Sequence, residues 1–238
     1  MTCFLTSSTL TEAGELNNQN GFVDRLRDEL RSPCRALFIT ASPDDPARTA
    51  RYAALTRASM EGAGIAFAEF SVLDRTASSD AAALVARAEL IVLSGGHVPT
   101  QNQFFREIGL RELLGSFNGV LLGVSAGSMN AAETVYAHVE LPGEVVDPDY
   151  RRFLPGLGLT RTMLLPHFQA IRHDVLDGLR VIEDVALPDS MGRCFYALTD
   201  GSYLLVRGGT ETLYGEAYRI RDGELEQICR TDESYWIR

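Results

Sequence analysis

Lysine is absent from all 238 residues, so each of the 22 basic side chains other than histidine is an arginine. Schiff-base chemistry, pyridoxal-phosphate attachment and a phosphate-loop lysine are therefore excluded. Cysteine is sparse: Cys3, Cys34, Cys194 and Cys229 are scattered, with no CxxC pair and no histidine at ligand spacing. That favours reduced thiols in a cytoplasmic protein over disulfides or a zinc site, and no metal or organic cofactor is expected. No apolar run approaches membrane-spanning length, and the start, MTCFLTSSTL, lacks the basic region and hydrophobic core of a signal peptide. Basic surplus is missing too. A formal charge of −10 argues against a nucleic-acid partner and against docking on an anionic membrane. There is no internal repeat, low-complexity tract or linker, and one domain over residues 1–238 is the simplest reading.

What is present is an alternation. The runs from Cys3 to Thr6, Arg35 to Thr40, Ile65 to Phe70, Glu89 to Ser94 and Gly119 to Val124 read as buried strands. Between them lie helical patterns: Phe22, Leu26 and Leu30 on one face, then Ala47 to Met60, Ser79 to Arg87, and Pro99 to Leu114 with Pro99 suited to a first turn. Strands spaced by such helices imply an α/β fold, a mostly parallel sheet covered on both faces. Ligands bind such sheets where loops leave the C-terminal ends of the strands. The second half predicts a loop from Leu141 to Gly158, which either flanks the site or closes over it as a lid. One helix from Gln169 to Val181 and a C-terminal β meander follow. An exposed edge of that meander is either covered by local loops or a homodimer contact.

The stretch LLGVSAGSMN, Leu121 to Asn130, has the G-x-S-x-G spacing of a nucleophile elbow centred on Ser125. A serine hydroxyl needs a base within hydrogen-bond reach and a carboxylate to orient that base. An α/β-hydrolase places its histidine near the C-terminus, and none follows His173 here, so the order Ser, His, acid is the one left open. His167, in LLPHFQA, follows a predicted strand (Thr160 to Leu165) as Ser125 does. His173 reads as a solvated helix residue and His138 as a strand or edge-loop residue. Asp200, in ALTDGSY, and Glu140, after the elbow helix, are alternative acids. Taken alone, Asp200-Gly201 is equally a hairpin turn. Gly95 and Gly96, in LSGGHVP, allow backbone N–H groups close to a substrate, and the Ala126 N–H begins the elbow helix, so these three form a candidate oxyanion hole. His97 beside them either lines the site or holds the turn.

Together these pieces resemble the peptidase E family of serine peptidases, the aspartyl dipeptidases related to cyanophycinases. The resemblance rests on FLTSSTL, SGG, GVSAGSMN, LPHF and TDGSYLLV, in the family's order over nearly the whole chain. It implies a three-layer flavodoxin-like fold, similar to class I glutamine amidotransferase domains. It also implies a Ser125–His167–Asp200 triad, with Gly95, Gly96 and Ala126 around the oxyanion, and a small peptide as substrate. Two departures stand out. Relatives often carry Asn or Asp where His97 stands. The segment after His167 is short where those enzymes supply an arginine that holds the substrate's aspartate; Arg172 is the nearest candidate. Three rivals share these residues: a serine esterase, a cyanophycinase-like enzyme that recognises arginine side chains, and a non-catalytic amidotransferase-like ligand-binding protein.

Overall fold

Five apolar runs become the parallel strands β1 (Thr2–Thr6), β2 (Cys34–Ile39), β3 (Phe67–Leu73), β4 (Leu90–Leu93) and β5 (Val120–Val124). They lie side by side in the order β1-β5-β4-β2-β3. The structure, a computed structural model, describes residues 1–237. Burial on both faces explains why the runs are continuously apolar rather than alternating. Cys3, Leu5, Leu37, Ile39, Ile91, Leu93 and Leu121 point into one core. Phe4, Ala36, Phe38, Leu90, Val92, Val120 and Leu122 point into the other.

Helices cover each face. α1 (Phe22–Glu29) and α2 (Pro46–Gly62) pack on the second core; α3 (Ala81–Arg87), α4 (Val98–Glu107) and α5 (Leu110–Leu113) pack on the first. α2 starts where Asp45 accepts the Arg48 N–H and Pro46 takes the first turn. The helix expected from Pro99 to Leu114 is broken between α4 and α5 by Gly109 at φ 61°. β3 runs further than expected, because Ile65 is taken up in the turn after α2 while pairing with β2 continues to Leu73.

A five-residue helix, α6 (Ala126–Asn130), follows β5; then come β6 (Thr134–Tyr136), β7 (Phe153–Pro155), β8 (Met163–Leu165) and α7 (Phe168–Ile171). The helix expected from Gln169 to Val181 does not form. α7 ends at Ile171, and β9 (Val175–Leu176) and β10 (Leu179–Arg180) form a hairpin. The cause is Asp177-Gly178, both at positive φ (52° and 83°), the dihedral signature of a two-residue hairpin turn. His173 is solvent-exposed as expected, but outside any helix.

The C-terminal strands are β11 (Cys194–Leu198), β12 (Tyr203–Arg207), β13 (Thr210–Tyr214), β14 (Ala217–Arg221), β15 (Glu224–Cys229) and β16 (Ser234–Ile237). The expected meander is divided between two sheets. β12, β13 and β16 extend the large sheet antiparallel beyond β1, giving the order β16-β13-β12-β1-β5-β4-β2-β3, while β15-β14-β11-β8 forms a second sheet. The Asp200-Gly201 turn therefore crosses from one sheet to the other instead of closing a hairpin. It brings the exits of β8 and β11 against those of β1 and β5. No helix among the described residues is long and apolar enough to cross a membrane.

Candidate functional site

The elbow's glycines are dictated by backbone packing. A Cβ on Gly123 would stand 2.9 Å from the backbone of Ser128, and one on Gly127 would stand 2.3 Å from the Leu93 carbonyl oxygen. With both positions bare, α6 passes close over β4 and β5, and Ser125 is left at the apex at φ 49° and ψ −111°. A non-glycine residue there carries roughly 1–3 kcal/mol of backbone strain. That strain is held by two bonds to the end of β1: the Ser125 N–H and the Ser128 hydroxyl both donate to the Thr6 carbonyl, at 3.0 and 2.8 Å.

His167 sits where Pro166 ends the β8 segment, also at positive φ (57°). Its Nε2 is 2.9 Å from Ser125 Oγ and its Nδ1 is 2.7 Å from Asp200 Oδ1. A carboxylate can only accept, so the Nδ1 side carries the proton and Nε2 is left free to accept from the serine. Burial alone would raise the Asp200 carboxyl. Hydrogen bonds from His167, Ser7 and Gln169 outweigh it and hold the group below its ordinary value, so it stays ionised at neutral pH.

Ser7 is the residue that reading the sequence missed. Its fully buried hydroxyl donates to Asp200 Oδ1 at 2.7 Å and accepts the His167 N–H at 2.8 Å, tying base and acid to the end of β1. The available signal was its place directly after β1, at a strand exit like the other three residues. Gln169 Oε1 adds a bond from the Asp200 N–H at 3.1 Å.

Gly95 lies against the nucleophile, its absent Cβ position 3.4 Å from Ser125 Cβ. Gly96 takes φ 152°, and a Cβ there would meet Ala41 Cβ at 2.6 Å. Ala126 supplies the first N–H of α6, which no carbonyl one turn earlier can accept.

Glu140, the alternative acid, does not reach His167. Its Oε1 is 3.8 Å from His138 Nε2, and the carboxyl lines the cavity beside Ser125. Burial, then the charge of Glu144, pushes it up to about 8. His138 is buried with Nδ1 2.8 Å from the Val139 carbonyl, and burial lowers it to about 4, so it is neutral at physiological pH. His97 caps α4 next to the glycine pair and reaches Thr100 Oγ1 (2.8 Å) and Glu144 Oε1 (2.9 Å) rather than the cavity. Glu144 in turn accepts the Glu140 and Leu141 N–H groups, at 2.7 and 3.0 Å. The 141–158 stretch is thus fastened at Glu144, and Asp177 in the β9–β10 turn accepts the Gly143 and Val145 N–H groups. Arg172 does not face the nucleophile: its guanidinium lies 5.5 Å from the centre of the Phe168 ring, and it is not part of the cavity wall.

The cavity beside Ser125 has a volume of about 190 Å³, and its polar groups come from Gly96, Ser125, His138, Glu140, His167 and Asp174. A larger depression of about 410 Å³, lined by Thr2, Glu29, Glu89 and Gly119, opens at the opposite ends of the strands, far from any nucleophile and base. Among the described residues, no group of three or more His, Cys, Asp or Glu side chains is arranged to hold a metal ion. A polarised serine beside backbone donors is an arrangement that can attack an acyl carbon and stabilise the oxyanion that forms.

No curated protein matches the chain. Solved structures share its fold, among them the following two. A peptidase from an acI-B1 Actinobacterium is 19% identical, with a TM-score of 0.67, covering 99% of this chain and 96% of that one. A putative peptidase E protein from Listeria monocytogenes EGD-e is 14% identical, with a TM-score of 0.61, covering 89% and 96%. The sequence pattern of peptidase family S51 matches residues 3–214, nearly the whole chain. The protein belongs to peptidase family S51 and is a serine peptidase of the peptidase E type.

Proposed function

We propose that this peptidase is an exopeptidase of small peptides, working through Ser125, His167 and Asp200. The observation that carries the reading is the continuous line of contacts from Ser125 Oγ through the imidazole to Asp200, at 2.9 and 2.7 Å, on a strained elbow. Ser125 attacks the scissile carbonyl as His167 Nε2 takes its proton. The tetrahedral oxyanion is met by N–H groups of Gly96 and Ala126, each contributing about 3–4 kcal/mol if it behaves as measured donors do. The imidazolium then gives its proton to the leaving amine, and the acyl-enzyme is released by water along the same path in reverse. Asp200 holds the tautomer and stabilises the imidazolium. Ser7 holds Asp200.

Exopeptidase action is supported by the size and charge of the cavity. A space of about 190 Å³ admits one residue, and the Glu140 and Asp174 carboxyls suit the free ammonium group of a peptide's N-terminus. An arriving cation favours the ionised form of Glu140, which is pushed up to about 8 in the empty site. The four cysteines are free, in keeping with work in the reducing cytoplasm.

The test is hydrolysis of a free dipeptide, its N-acetylated form and an activated ester, by wild-type protein and by Ser125→Ala and Asp200→Asn. The free dipeptide should be cleaved far better than the acetylated one. Ser125→Ala should lose both peptide and ester activity, and Asp200→Asn should drop kcat on the order of 10⁴-fold by presenting the wrong tautomer. Turnover of the ester with no peptide hydrolysis would make the protein an esterase and refute the reading.

A further inference from the structure

Resting on the reading of Ser125 as the nucleophile, we infer that the site selects peptides whose first residue carries an uncharged, apolar side chain, rather than aspartate. Beside those polar groups, the wall next to Ser125 is made by Pro166 and by the side chains of Met129, Val139, Ile171, Leu176 and Val181. Four of these side chains are buried in the fold, and Leu176 reaches in from β9, the first strand of the hairpin that replaces the expected helix. Side chains of this type, converging on a nucleophile from α6, α7, β9 and the segments after β6 and β10, form a surface that gains by covering apolar atoms.

The volume agrees. A cavity of about 150 Å³ lined by aliphatic side chains holds a benzene-sized group, and the space here is about 190 Å³. That is room for a side chain between valine and phenylalanine in size, with its backbone ammonium towards Glu140 and Asp174.

Charge points the same way. Among the described residues no arginine contributes to the cavity wall, and the chain has no lysine. Arg172 stacks over Phe168 instead. A bound aspartate side chain would face two carboxyl groups and a neutral His138 with no cation to pair it, the situation in which a desolvated charge is rejected. The two carboxyls could alternatively serve a basic side chain. The hydrocarbon character of the remaining wall, and the need to hold the ammonium group itself, assign them to the N-terminus.

The experiment measures kcat/KM for a series X-Leu, with X as Ala, Val, Leu, Asp and Arg, alongside fluorophosphonate labelling of Ser125. Val-Leu and Leu-Leu should exceed Asp-Leu by roughly 10²-fold or more, the scale at which a pocket rejects a group it cannot pair. Leu176→Arg, on the solvent side of the wall where an added side chain need not disturb the core, should narrow the Leu-Leu to Asp-Leu ratio by at least tenfold. Wild-type preference for Asp-Leu, or for Arg-Leu, would overturn the inference while leaving the nucleophile in place. So would a labelled, ester-active enzyme that cuts none of the apolar dipeptides. An unlabelled Ser125 would remove the reading beneath it, and the inference with it.

Discussion

Replacing Ser7 with alanine removes a single oxygen that touches neither the nucleophile nor the cavity, yet the structure gives it two bonds that matter. It donates to Asp200 Oδ1 at 2.7 Å and accepts the His167 N–H at 2.8 Å. A hydrogen bond to a charged group contributes about 1.5–3 kcal/mol, and a donor left without a partner costs about 1–3 kcal/mol. Asp200 is part-exposed and water can replace some of what it loses, so the combined loss is set at about 2 kcal/mol. For a chain of this size that corresponds to a fall in Tm of roughly 4–8 °C. The effect on catalysis is separate. His167 would keep Ser125 and Asp200 as partners but lose the bond that fixes its backbone, and Asp200 would lose one of the bonds that hold its carboxylate in line. A loss of about 1.4 kcal/mol in the transition state is tenfold in rate, so kcat/KM for Ser7→Ala should fall about tenfold, with most of the change in kcat. The assay is steady-state hydrolysis of a free dipeptide at a temperature well below the lowered Tm. A variant within twofold of wild type in kcat and unchanged in Tm would refute the assignment of Ser7 to base and acid.

Two further outcomes follow from the geometry. Gly127→Ala puts a Cβ 2.3 Å from the Leu93 carbonyl oxygen, a backbone atom with no rotamer to retreat into; α6 must shift, costing about 1–3 kcal/mol. Because α6 positions Ser125, kcat should fall on the order of 10²-fold, and a variant active at wild-type level would contradict the packing account of the elbow. The Glu140 carboxyl is raised from 4.5 to about 8 in the folded protein. The stability tied to its protonated form is complete below about 4.5 and is lost as pH rises through about 8. Glu140→Gln does not titrate, so its stability relative to wild type should rise between pH 5 and pH 8, by roughly 3–4 kcal/mol at about 1.4 kcal/mol per pKa unit, and its Tm relative to wild type with it. A gap that stays flat or closes over that range would contradict the burial of this carboxyl.

The order of strands and helices in the first half is legible in the sequence because burial on both faces leaves unbroken apolar runs, and because Pro99 marks a helix start chemically. Ser125 and His167 are legible for a related reason: each stands directly after an apolar run, where a parallel sheet presents its loops. What is not legible comes from longer-range choices. Ile171, Val175 and Leu179 repeat at helical spacing, and only the backbone preference of Asp177-Gly178 turns the segment into a hairpin. Antiparallel strands look alike whichever sheet receives them, so the transfer of the chain at Asp200-Gly201 from the second sheet to the first shows only in the pairing. Ser7 is hidden because one buried hydroxyl leaves no pattern. Arg172 is a case where proximity in sequence misleads: α7 is one turn long, and the side chain falls on the Phe168 side of it.

The claim on which the account depends is that Ser125 is an activated nucleophile. Incubation with a fluorophosphonate probe, followed by peptide mass spectrometry and repeated on Ser125→Ala and His167→Ala, tests it directly. Label is expected on Ser125 alone, with none in Ser125→Ala and labelling in His167→Ala slowed by orders of magnitude. An unlabelled wild-type protein, under conditions that modify another serine peptidase to completion, would contradict it.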